Sequence, residues 1–160
     1  MRLCLPCLFL RSSLLVVLLL SSGCQTATKT LFTASGPGWR VQEGQALWRP
    51  GSGYPEIGGD LVMVSHEDGR CAIEFAKTPM SLVSAQTTRT NWLLQFPPQR
   101  RGFSGRWQPP VRFRFAWLYL HAALAGELLP PPLHFERKPD GGWRLENTRT
   151  GETLEGFLAP

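Results

Sequence analysis

The chain has 160 residues, 42% of them apolar, with 17 Lys and Arg against 12 Asp and Glu. That length suits a single domain whose core needs no disulfide or metal staple. A formal excess of +5 is too small to point to a nucleic-acid partner.

The N-terminus reads as an export signal: a basic flank ends at Arg11, an apolar run covers Leu14 to Leu20, and small residues lead to Cys24. The run is far short of the roughly 20 residues that a spanning helix needs. Its end, Ser22-Gly23-Cys24, resembles the lipobox of bacterial lipoproteins, although Ser21 stands where Leu is usual and Leu20 lies one place further out. The resemblance implies cleavage before Cys24, acylation of that cysteine as the lipid attachment, and an outer-membrane address facing the periplasm, because Gln25 rather than Asp follows. A plain cleavable signal or an uncleaved anchor is the alternative. The expected organisation is a signal peptide over 1–23, a flexible tether over 24–38 rich in Thr, Ala, Ser and Gly, and one domain over 39–160. Loss of Arg2 and Arg11 lowers the formal charge from +5 to +3. Cys4 and Cys7 leave with the signal, so the exported chain has only Cys71 as a free thiol and forms no internal disulfide. In an alternating strand Cys71 reads as a small buried hydrophobe.

Beyond the tether the pattern predicts a meander of short antiparallel strands. Trp39-Arg40-Val41 and Ala46-Leu47-Trp48 read as two short strands, and the Gly- and Pro-rich stretch 50–59 as loop. Asp60 to His66 is a strand; Glu67-Asp68-Gly69 turns the chain, and Cys71, Ile73 and Phe75 then share one face. Further strands are expected over Met80 to Thr87, over Trp92, Leu94 and Phe96 before Pro97-Pro98, and around Phe103 to Trp107. Val111, Phe113, Phe115 and Trp117 fall at a period of two with Arg112 and Arg114 between them, which predicts a strand with an oily and a wet face. Leu118 to Gly126 predicts a short helix ended by glycine and by Pro130-Pro131-Pro132. Leu133 to Arg137, Trp143 to Glu146 and Thr153 to Leu158 complete the set. The fold class is mainly β (α+β): a strongly curved antiparallel sheet or unfinished β-barrel with one short packed helix.

Motifs for chemistry are scarce. Gly102-Phe103-Ser104-Gly105 fails the spacing of a nucleophile elbow and reads as a strand with a glycine kink. His66, Glu67 and Asp68 are adjacent on a turn and do not converge on a metal without other ligands; His121 and His134 stand in no ligand spacing. Arg100, Arg101, Arg106, Arg112 and Arg114 alternate with aromatic residues, which suits acidic lipid headgroups, glycan phosphates or a solvated sheet face. No catalytic residue, metal site or cofactor is expected, and the chain is read as a non-enzyme.

Cys24, the hairpin from Asp60 to Phe75, Trp92-Leu93-Leu94-Gln95-Phe96 and the Phe113–Gly126 segment together resemble the LolA/LolB group, which carries or receives lipoproteins at the outer membrane. The resemblance implies an unfinished barrel lidded by helix whose apolar interior holds acyl chains. The expected function is therefore binding of an acyl chain or lipoprotein in a cavity, with Phe75, Trp92, Phe96, Phe113, Phe115 and Trp117 as its lining. The alternative is an interaction or scaffolding module of an envelope complex that uses exposed aromatics. The expected partners are the membrane, through acylated Cys24, and such a ligand, not nucleic acid.

Overall fold

Alternation of apolar and polar residues becomes nine strands: β1 (Trp39–Arg49), β2 (Ile57–His66), β3 (Cys71–Lys77), β4 (Met80–Thr87), β5 (Asn91–Phe96), β6 (Arg101–Arg106), β7 (Leu133–Arg137), β8 (Trp143–Asn147) and β9 (Glu152–Leu158). The structure is a computed structural model and describes residues 29–159; the expected signal peptide, Cys24 and the first residues of the expected tether lie outside the described residues. All nine strands join one antiparallel sheet in the order β6-β5-β4-β3-β2-β1-β9-β8-β7. Two meanders thus meet where the first strand pairs with the last. The fold is mainly β, as the sequence predicts, and the sheet is not closed.

The sheet curves strongly. Flat strands lie about 4.8 Å apart, so β1 and β5, four places apart, would be separated by roughly 19 Å. Yet the rings of Trp48 on β1 and Phe96 on β5 stack with centroids 6.0 Å apart. The inner face becomes a trough, and a 3-10 turn (Ala116–Tyr119) running into a short helix, α1 (Leu120–Leu124), lies in it with Trp117 and Leu120 fully buried. Gly126 ends the helix at φ 78°, with Glu127 N–H donating to Ala122 O and Gly126 N–H to Ala123 O. The predicted helix and its glycine stop are both observed.

The 66–71 hairpin is as expected, with Gly69 at φ 88° and Cys71, Ile73 and Phe75 all buried. Three expectations are corrected. First, 39–41 and 46–48 form one strand of 11 residues. Gln42 and Gly44 occupy inward positions without being apolar, which masks a continuous alternation. Second, the loop after Pro50 is shorter than expected, because Gly58 and Gly59 belong to β2. Gly59 lies under the Phe75 ring, and a Cβ there would sit 2.9 Å from Phe75 Cε2 and 2.3 Å from the Ala76 carbonyl oxygen. Third, the segment from Val111 to Trp117 is not a strand. Phe115 N–H donates to Arg112 O at 3.2 Å, and Arg114 takes φ 65°, so the chain turns and the alternation breaks.

The last residues of the expected spacer lie against the sheet. Lys29 Nζ donates to Ser104 Oγ at 3.1 Å, Leu31 N–H donates to Gln86 Oε1 at 2.7 Å, and Phe32 stacks on Trp39 at 5.5 Å. Gln86, Leu93 and Ser104 are register partners on the outer face of β4, β5 and β6. Leu93 is buried although it points away from the trough. A strap over that row accounts for its burial.

Candidate functional site

Five of the six expected lining residues are buried: Phe75, Trp92, Phe96, Phe115 and Trp117. They meet one another rather than a void. Trp117 lies 5.0 Å from Phe75 and 5.8 Å from Trp48 between ring centroids, and Phe115 lies 5.6 Å from Trp92 and 5.3 Å from Phe103. These are the contact distances of packed aromatic pairs. Gly105 stands opposite Trp92 in register, and a Cβ there would fall 2.5 Å from Trp92 Cζ2. This is the packing reason for the glycine after Ser104.

Phe113 is corrected. It is 40% exposed, with its ring 5.7 Å from that of Tyr54, while Arg114 turns inward. The Arg114 guanidinium carbon sits 4.8 Å from the Phe113 ring centre and 6.0 Å from those of Trp48 and Phe96, and its Nη1 donates to Gln99 Oε1 at 3.0 Å. The expected facing is therefore reversed at these two positions. The cause is the left-handed backbone at Arg114.

Glu152 is the residue that the sequence reading missed. It is fully buried on the inner face of β9, where its Oε1 accepts from Trp48 Nε1 at 3.2 Å and its Oε2 from Ala116 N–H at 3.2 Å. The nearby backbone N–H groups of Arg114 and Phe115 also favour its ionised form. One carboxyl thus ties the turn before the helix to the sheet floor. Burial pushes its pKa up to about 8, opposed by the hydrogen bonds that it accepts. Cys71 behaves as expected of a buried hydrophobe, its thiol pushed up to about 12 by burial. At the 66–70 turn Asp68 pairs with Arg70 at 2.7 Å and with His66 at 3.1 Å. Among the described residues, no three His, Cys, Asp or Glu side chains are placed to hold a metal.

Three clefts border the trough and its outer face. One of about 390 Å³ lies between α1 and the inner face of β1 and β2, lined by Arg40, Gln42, Ser65, His121 and Trp143 among others. A second, about 490 Å³, runs between Trp107 and Leu128 and touches Trp92 and Tyr119. The third and largest, about 600 Å³, opens on the outer face over β2, β1 and β9. Of the six expected lining residues, only Trp92 borders one of these three.

The outer-face cleft has an apolar floor and an acidic rim. Leu47 and Phe157, 48% and 51% exposed, sit on adjacent strands, and Gly58 opposite Leu47 leaves the floor open. Around them stand Asp60, Asp140 and Glu155, with Lys138 bound to Glu155 at 2.5 Å. The parity of β1 and β9 contains this signal: with Trp48 and Leu154 inward, Leu47 and Phe157 must face out. No protein-family model and no curated protein matches the chain.

Proposed function

We propose that the chain is a non-enzymatic, lipid-anchored protein of the bacterial outer membrane, held at its periplasmic face through Cys24, that acts as an interaction module. Its docking surface is the outer-face cleft around Leu47 and Phe157. The observation that carries this reading over acyl-chain carriage is the aromatic trough: Phe75, Phe96 and Trp117 pack on Trp48, and Phe115 packs on Trp92 and Phe103, so the interior is occupied by the protein's own rings. An exposed apolar pair on a sheet face is unusual unless something covers it. Glu155 is held by Lys138 and Arg144, while Asp60 and Asp140 have no cationic partner among the described residues; these two carboxylates favour a partner segment that brings an apolar side chain with a basic residue beside it.

The test is a photo-crosslinker placed at Phe157 in the full chain in cells. A discrete adduct with one envelope protein is expected, lost with Leu47→Asp and retained with Arg149→Gln on the distant β8–β9 turn. An adduct ladder unaffected by Leu47→Asp would remove the cleft from consideration.

A further inference from the structure

The charge of the molecule is sorted across its sheet. From residue 75 to residue 126 the sequence has no Asp or Glu, while it has Lys77, Arg89, Arg100, Arg101, Arg106, Arg112 and Arg114. That stretch forms β4, β5, β6 and the segments between and after them. Arg114 is turned inward, but Arg89, Arg100, Arg101, Arg106 and Arg112 are exposed, and none has a carboxylate partner among the described residues. The acidic residues lie elsewhere. Elsewhere Arg49, Arg70, Lys138 and Arg144 each have a carboxylate partner, whereas Arg40 and Arg137 have none among the described residues.

Two large apolar side chains stand at one end of this basic edge. Leu128 is 100% exposed and Trp107 is 72% exposed, and they flank the same groove, in which Glu127 is the one carboxylate. Trp107 is held outward by a left-handed backbone (φ 62°) and by its N–H donating to Thr90 O at 2.7 Å. A tryptophan and a leucine beside unpaired arginines match the chemistry of a bilayer interface, where ring and chain enter the headgroup layer and guanidinium groups meet phosphates.

The start of the described chain falls at the same edge. Lys29 is bound to Ser104 on β6, the edge strand, and only four residues lie between it and Cys24. Five extended steps from Cys24 to Lys29 reach about 18 Å at most, and the Lys29 side chain adds roughly 6 Å. An acyl chain on Cys24 therefore keeps β6 within roughly 25 Å of the bilayer. We infer that β6 and the Trp107–Leu128 groove form a membrane-contact surface that recognises anionic phospholipid and fixes the orientation of the domain, leaving the outer-face cleft, over β2, β1 and β9, free for a partner. The orientation rests on the anchor reading; the lipid recognition does not.

The experiment separates the two. The processed polypeptide beginning at Gln25, without acyl chains, is floated with vesicles of 30% phosphatidylglycerol in phosphatidylcholine and with phosphatidylcholine alone. It contains every strand of the described fold. Binding is expected only to the anionic vesicles and is expected to weaken in high salt. At roughly fivefold per basic residue, Arg100→Gln/Arg101→Gln/Arg106→Gln is expected to lower partitioning roughly a hundredfold. Trp107→Ser lowers it further, and Arg144→Gln/Arg149→Gln leaves it unchanged. Equal binding to both vesicles, or unchanged binding by the triple variant, overturns the inference. Self-association of the triple variant with unchanged lipid binding also overturns it and makes the arginines guards of an exposed strand edge. Loss of vesicle binding on adding millimolar inorganic phosphate assigns an ion site instead of a membrane surface. The intact mass of protein extracted from membranes reads the acylation of Cys24 independently.

Discussion

Trp117→Ala is expected to lower the unfolding free energy by roughly 3 to 5 kcal/mol, the range for deleting a buried aromatic side chain. Trp117 is fully buried and touches Trp48 on β1 and Phe75 on β3, so its loss opens a void between the helical segment and both strands. Among the described residues the indole N–H has no hydrogen-bond partner, so Trp117→Phe forfeits volume but no polar contact. It should fall well short of the alanine loss. Phe113→Ala, two strand positions earlier in the predicted pattern, is expected to cost under about 1 kcal/mol because that ring is partly in water. Urea melts of the three variants check the order. A cost for Phe113→Ala equal to that for Trp117→Ala would mean that the strand predicted for 111–117 exists.

The second large effect concerns Glu152 and pH. Its folded pKa, about 8, lies above the ordinary 4.5, so between these values the native state retains a proton that the unfolded chain has lost. The sign follows directly: its contribution is fully present below about pH 4.5 and is lost as pH rises through 8, for a total on the order of a few kcal/mol. Glu152→Gln keeps a neutral acceptor and removes the titration. Its stability relative to wild type is therefore expected to improve steadily from pH 5 to pH 9. Glu152→Ala strands the Trp48 and Ala116 donors at every pH, at about 1 to 3 kcal/mol for each buried unpaired group. Melts of the three proteins at pH 5, 7 and 9 decide it. A wild type whose difference from Glu152→Gln is flat across that range would place the ionised carboxylate in the folded protein.

Much of the fold is legible in the sequence because it is written in local chemistry. Asp68-Gly69 and Thr150-Gly151 mark hairpins, both glycines taking positive φ, and the Cys71, Ile73, Phe75 and Trp92, Leu94, Phe96 alternations identify the trough face. What could not be read depends on contacts distant in sequence. Arg114 adopts a left-handed backbone that glycine usually takes, so nothing in the Arg112-Phe113-Arg114 pattern warns that the alternation will invert there. Its inward position makes sense only once Trp48, Phe96 and Gln99 are assembled around it. Glu152 follows a turn glycine and looks like an exposed turn flank; the two donors that hold it, the Trp48 indole and the Ala116 N–H, come from 104 and 36 residues away in sequence. The filling of the trough by its own rings is hidden for a related reason. Aromatics at a period of two fit either a lined cavity or a filled core, and the curvature that brings β1 to within ring contact of β5 decides for filling.

The central claim, that the protein works through its surface and not by holding an acyl chain in its trough, is tested most directly by titrating a fluorescent fatty-acyl probe into the polypeptide beginning at Gln25, its folding confirmed by near-ultraviolet circular dichroism. No saturable binding is expected at micromolar probe. Ala85→Trp, on the trough face of β4 where Ala85 is buried, is then expected to destabilise the protein by overpacking and leave the probe signal unchanged. Saturable binding by wild type that Ala85→Trp abolishes in a still-folded protein would contradict the account and place an acyl ligand among Phe75, Trp92, Phe96, Phe115 and Trp117.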